Sequence, residues 1–178
     1  HPWFKEARRD PASKYRDWYI WSKKRPPQAD EGMVFPGVQK STWSRDKQAG
    51  AWYFHRFYDF QPDLNTSNPL VQAEILKIMG FWMQLGVSGF RMDAVPFIIA
   101  TKGPKVRKPV EQYDMLRSFR EFLQWRQGDA IILAEAGLVR LGLAAEITEI
   151  LDRAWLPMVA GKGDPDDRFY AIWKPVSD

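Results

Sequence analysis

The stretch Val87-Ser88-Gly89-Phe90-Arg91-Met92-Asp93-Ala94-Val95, read with Ala130-Ile131-Ile132-Leu133-Ala134-Glu135 downstream, decides the fold class. Each is a short apolar run that ends in a carboxylate, and each follows a helical pattern. Ahead of the first, Asn68 is suited to cap a helix with Pro69 at its first position, where proline is favoured. Val71, Ile75, Ile78, Trp82 and Leu85 then repeat at helical spacing, and Gly86 is placed to end the helix. Between the two runs, Val110 to Gln127 sets Met115, Leu116, Phe119, Phe122 and Leu123 on one helical face. Helix, strand, helix, strand is an α/β order, which implies parallel strands buried on both sides. Ligands meet such sheets at the carboxyl ends of the strands, so Asp93 and Glu135 point to one end of one sheet.

Two carboxylates at one sheet end are suited to glycoside cleavage: one attacks or stabilises the anomeric carbon and the other protonates the leaving oxygen. Strand alternation points Arg91 the same way as Asp93, where its charge would keep Asp93 ionised. Glu135, ending an apolar strand, is the better placed of the two for a raised pKa and the acid role. On spacing alone a second reading stands beside this one, with Arg91–Asp93 a structural ion pair and Glu135 a helix cap.

Working outward, residues 1 to 60 show no long periodicity and are broken by Pro2, Pro11, Pro26, Pro27, Pro36, Gly32, Gly37 and Gly50. Strand-like pieces are Asp17–Trp21, Gly32–Phe35 and Ala51–Phe57. Fourteen aromatic residues fall in this third of the chain, so it is a loop-rich aromatic module and not a linker. Most of those rings are expected to form its core. Cysteine is absent, which removes disulfides, thiolate metal sites and cysteine nucleophiles, and His1 and His55 are too few for a multi-histidine cage. The longest uncharged apolar stretch, Ile78 to Phe90, is 13 residues, short of the roughly 20 of a membrane span. No charged-then-apolar leader opens the chain, and a cytoplasmic location is expected. Lys102, Lys105, Arg107 and Lys108 lie in a loop without interleaved aromatics. That pattern reads as a solvated loop and not as a nucleic-acid surface.

The wording of the motifs adds a resemblance. Gly89 to Val95, Ile132-Leu133-Ala134-Glu135-Ala136 and Gln61-Pro62-Asp63-Leu64-Asn65 resemble the α-amylase superfamily, glycoside hydrolase family 13, in order and spacing. His1-Pro2-Trp3-Phe4, Tyr15-Arg16-Asp17-Trp18-Tyr19-Ile20-Trp21 and His55-Arg56-Phe57 resemble the aromatic subdomain B of its trehalose synthase-like and oligo-1,6-glucosidase-like branch. The resemblance implies a partial TIM (β/α)8 barrel, about strands 4 and 5 with flanking helices, plus subdomain B. It implies Asp93 as nucleophile, Glu135 as acid/base, and Arg91, His55, Phe57 and Gln61 as substrate-binding residues. For His55 two readings stand equal: a hydrogen bond to a sugar hydroxyl, or packing between Phe54 and Phe57.

The residue after the nucleophile is often Val in α-1,6-specific members and small in α-1,4-active ones. Ala94 therefore directs the expectation toward maltose-type α-glucosides such as maltose or trehalose, and toward trehalose synthase or α-glucosidase chemistry. No cofactor is expected. Some members bind calcium, for which Asp63 is the one candidate, but no acidic cluster accompanies it and no metal is assigned. The domain reading is 1–60 subdomain B-like, 61–136 partial barrel, and 137–178 a divergent tail. In that tail, Leu143, Ile147, Ile150 and Leu151 suggest one helix ending before Pro157, and Asp164 to Arg168 a solvated turn. The family's earlier Asp/His motif and later His-Asp motif do not occur, so an incomplete catalytic domain is expected. The alternatives are a non-catalytic carbohydrate-binding remnant and, further off, a basic nucleic-acid-binding module. Oligomeric state is not legible.

Overall fold

In the computed structural model, residues 1–136, 146–147 and 149–151 are described, together with the backbone of Arg153–Pro157 and Tyr170–Trp173. The chain divides into two compact units, His1–Ala73 with Thr101–Val110, and Glu74–Ala100 with Glu111–Asp178.

The first unit opens with helix α1, Pro2–Arg9. The His1 ring caps it by accepting the Trp3 N–H, and Pro2 takes the first turn, where a missing N–H costs nothing. Eight residues are too few to show a period, which is why the sequence reads as irregular here. A short 3-10 turn spans Arg16–Trp18, overlapping the start of the piece Asp17–Trp21 read as a strand, and β1 is only Trp21–Ser22. Strands β2 (Trp43–Asp46) and β3 (Ala51–Phe54) form a hairpin, and the antiparallel sheet runs β1-β3-β2. Asp46 accepts the Ala49 N–H at 2.7 Å across the turn and Gly50 supplies its positive φ of 61°. Residues 32 to 35, expected as a strand, form none.

Ile20, Ala29, Trp43 and Phe54 make the core of this unit, with Trp52 packed on it. The remaining rings interlock around it: Trp3 meets Trp18 edge-on at 4.7 Å, and Phe4 stacks on Trp21 at 5.6 Å. The concentration of aromatics is thus largely packing.

Helix α2 is Pro69–Gln84, with the Asn68 carboxamide oxygen accepting the Leu70 N–H at 2.9 Å and Gly86 following at φ 94°. Its packed side differs from the expected stripe. Met79 is buried with Ile75, Leu76 and Met83 against the second unit's core, whereas Ile78, Trp82 and Leu85 are exposed. The helix is apolar nearly all round, so two stripes at the same spacing compete. Gly80 marks the packed one: a Cβ there would lie 3.3 Å from the Phe122 ring.

In the second unit, strands β4 (Gly89–Met92), β5 (Ile131–Glu135), β6 (Arg153–Pro157) and β7 (Tyr170–Trp173) form one sheet in that order. β4, β5 and β6 are parallel, and β7 is antiparallel to β6. Helices α3 (Val95–Ile99) and α4 (Tyr113–Arg126) contribute to one core. There Val95, Ile99, Leu116, Phe119 and Leu123 join Ile132, Ala134, Ile147 and Leu151. Helix α4 begins three residues later than the periodicity suggests, because Glu111 bridges back to Ala100. β5 is buried at Ile132 and Ala134 but not at Ile131, Leu133 or Glu135, so it is one-sided among the described residues and not buried on both faces. Ile147 and Leu151 pack as the tail pattern implied; Leu143 and Asp164–Arg168 lie outside the described residues. Strand β6 falls where only the end of a helix was expected.

Candidate active site

The site starts from a glycine. A Cβ on Gly89 would stand 2.8 Å from the Ile131 carbonyl oxygen, so only glycine lets β4 lie this close to β5. The pairing that follows is Gly89↔Ile131, Phe90↔Ile132, Arg91↔Leu133 and Met92↔Ala134. Asp93 directly follows β4 and Glu135 ends β5, so both stand at the carboxyl ends of neighbouring parallel strands. Level residues on parallel strands share a face, and Arg91 shares with Leu133 the face opposite Ile132 and Ala134, the one on which Glu135 also lies.

Side-chain contacts tighten this. The Arg91 guanidinium is 2.8 Å from the Asp93 carboxylate, on the same strand face as alternation requires. The Ala94 N–H donates to Glu135 Oε2 at 2.9 Å, which holds the second carboxylate beside the residue that follows the first. The Asp93 side chain is 75% exposed and open to a ligand. Chemically, a carboxylate fixed by a guanidinium and a second carboxylate held beside it by a backbone amide suit a two-step displacement at one carbon.

Ala94 is also the one non-glycine residue at positive φ among the described residues, at φ 49° and ψ 40°. That left-handed conformation costs an L-residue about 1–2 kcal/mol. It turns the chain from β4 into α3, whose Val95, Pro96 and Ile99 are buried. The strain therefore sits where the carboxylate and the amide are both presented. Sequence reading passed over it, since alanine carries no signal for such a turn.

His55, Phe57 and Gln61 belong to the first unit. His55 is 2% exposed, with Nε2 2.9 Å from Ser44 Oγ and Nδ1 3.4 Å from the Phe57 carbonyl. Burial pushes its pKa below the usual histidine value, against the opposing hydrogen bond that the ring donates to the Phe57 carbonyl. The ring is therefore held within the fold and fixes the Phe57 backbone. Gln61 is exposed beyond a turn in which its N–H donates to the Tyr58 carbonyl.

Asp63 accepts the Arg56 N–H at 2.8 Å and faces the Lys102 ammonium at 3.7 Å. Burial raises the Asp63 pKa and lowers that of Lys102, each against the attraction of the other. A lone carboxylate beside an ammonium does not fit calcium, which takes six to eight oxygens. Among the described residues no three His, Cys, Asp or Glu side chains gather. Nor does any helix among them have the length and apolarity to cross a membrane.

Comparison with known proteins bears on this geometry. A model of the alpha-amylase catalytic domain matches residues 1–145. A trehalose synthase of Pimelobacter sp. (strain R48) is 39% identical over 136 residues, covering 76% of this chain and 24% of that protein. An oligo-1,6-glucosidase of Parageobacillus thermoglucosidasius is 43% identical over 100 residues, covering 55% of this chain and 17% of its own. Among solved structures, a family GH13_31 enzyme superposes with a TM-score of 0.72 at 30% identity, over 88% of this chain and 32% of its own. The chain thus spans less than a quarter of these two curated relatives and about a third of the solved one.

Proposed function

From the premise that this chain belongs to the alpha-amylase catalytic-domain family, we propose that Asp93 and Glu135 form the carboxylate pair of a retaining α-glucosyl hydrolase or transferase. One observation carries the reading: the Ala94 N–H bond to Glu135, which ties the end of β5 to the residue after Asp93. Retaining chemistry needs carboxyl groups about 5–5.5 Å apart.

Asp93 attacks the anomeric carbon, forming a carbon–oxygen ester bond as the glycosidic bond breaks. Glu135 gives its proton to the departing oxygen. In the second step Glu135 takes a proton from the acceptor, water or a sugar hydroxyl, whose oxygen displaces Asp93. Arg91 holds the Asp93 carboxylate in place by its 2.8 Å ion pair. Phe57, whose carbonyl meets His55 Nδ1, and Gln61 contribute to binding the sugar, as the motif resemblance implies. The small Ala94 favours maltose-type α-glucosides over α-1,6-linked ones. We assign residues 1–60 to a subdomain B-like region, 61–136 to the partial barrel and 137–178 to a divergent tail. The setting is cytoplasmic, with maltose or trehalose as substrate.

The test follows maltose by proton NMR in the protein that carries this sequence. Release of α-glucose first, or formation of trehalose, supports retention, and Asp93→Asn or Glu135→Gln should each remove turnover by several orders of magnitude. First release of β-glucose, or full activity in Asp93→Asn, contradicts the assignment. Maltose binding without turnover would favour the carbohydrate-binding remnant instead.

A further inference from the structure

The basic loop after α3 is solvated at Lys105, Arg107 and Lys108, as its composition suggests, but not at Lys102. Thr101–Val110 belongs to the first compact unit, and the Lys102 side chain is only 4% exposed. Within that unit a cavity of about 190 Å³ is lined by Arg56, Lys102 and Arg107, with Thr42, Gln28 and Glu31 among its polar walls. Arg56 is held in place: its Nη1 donates to the Gly32 carbonyl at 2.7 Å and its guanidinium lies 5.2 Å from the Phe54 ring. Gly32 is required for this, since a Cβ there would come within 2.6 Å of Nη1. The Gln28 amide ties the loop down by donating to the Pro104 carbonyl at 2.8 Å.

Three cationic side chains thus face one small space. Glu31 at its wall and Asp63 beside Lys102 offset two of them, which leaves the surroundings positive by one charge. Burying cations is unfavourable unless anions compensate them, and guanidinium and ammonium groups together favour oxyanions with several acceptor oxygens. A tetrahedral oxyanion fits in this open-sided space.

We propose that this cavity is a binding site for a tetrahedral oxyanion, with phosphate as its ligand chemistry, held by Arg56, Lys102 and Arg107. The proposal does not draw on Asp93 or Glu135, so loss of phosphate binding and loss of glucosyl transfer are separate outcomes. The experiment is calorimetric titration of the full chain with inorganic phosphate at constant ionic strength, and in parallel with glucose 6-phosphate. Saturable binding at one site is expected. Arg107→Gln, on an exposed loop side chain, should weaken it about tenfold, and Arg107→Lys by less. Lys77→Gln, in the other unit, should leave it unchanged. Tighter binding of inorganic phosphate assigns the free ion; tighter binding of glucose 6-phosphate assigns a phosphorylated sugar whose ring stays outside. No saturable binding of either, or binding that Arg107→Gln leaves intact, overturns the proposal.

Discussion

Asp63→Asn isolates the energetics of the first unit. The Asp63 carboxylate and Lys102 ammonium are 3.7 Å apart, with side chains 15% and 4% exposed. At an effective dielectric of about 20 their attraction is about 4.5 kcal/mol. Burial nevertheless raises the Asp63 pKa and lowers that of Lys102, so desolvation outweighs the attraction for each group. Asparagine at 63 still offers an oxygen to the Arg56 N–H but leaves the ammonium buried without its anion, which should cost about 3–5 kcal/mol. The double change Asp63→Asn with Lys102→Met removes both charges and should lie within about 1 kcal/mol of the parent, because the parent carries both desolvation costs. Urea unfolding at pH 7 reads this directly, with the midpoint of Asp63→Asn falling by about 2 M and recovering in the double variant. A raised carboxylate pKa lowers stability as pH rises from about 3.8 toward its folded value. A lowered amine pKa restores stability as pH rises from its folded value toward 10.5. The double variant should therefore be flatter in pH across that window. A single-variant loss under 1 kcal/mol would refute the reasoning, since it would mean that water reaches the pair.

Three further outcomes are expected. Ala94→Gly relieves the left-handed strain and should stabilise by up to about 1 kcal/mol after glycine's entropy cost, whereas Ala94→Val should cost more than 1 kcal/mol, both read by chemical unfolding. Because burial lowers the His55 pKa, its stabilising contribution is present above about pH 6.5 and is lost as pH falls toward its folded value. Melting temperature should drop between pH 7 and 5 and do so less in His55→Gln; an unchanged pH dependence in the variant would contradict this. Gly89→Ala pushes a methyl against the Ile131 carbonyl and should cost about 1–3 kcal/mol while loosening the Asp93–Glu135 register. Wild-type stability in that variant would show that the strands have room to spare.

Strand order and the two terminal carboxylates were legible because each rests on a local pattern, an apolar run ending in an acid after a capped helix. The α4 face was legible too, since Met115, Leu116, Phe119 and Leu123 leave one clear stripe. α2 was half legible. Its ends are written in Asn68, Pro69 and Gly86, but its packed side is chosen by the fit of Gly80 to Phe122, a contact between residues 42 apart. Helix α1 was too short for a period, and β6 lies in a tail without a clear pattern. The strained Ala94 and the buried Asp63–Lys102 pair were not legible at all, because both are products of tertiary packing on residues that look ordinary in the chain. The basic loop misled for the same reason: charge runs are usually solvated, and Lys102 is not.

The central claim is that Asp93 is the nucleophile, with Glu135 at the end of the neighbouring strand as acid and base. The most direct measurement treats the protein that carries this sequence with a slow-reacting fluorinated α-glucosyl fluoride and maps the labelled peptide by mass spectrometry. The account predicts one covalent glucosyl group on Asp93, formed in Glu135→Gln as well because fluoride leaves without a proton. A label on Glu135 or on any other residue, or unlabelled protein that still turns over maltose, would contradict it.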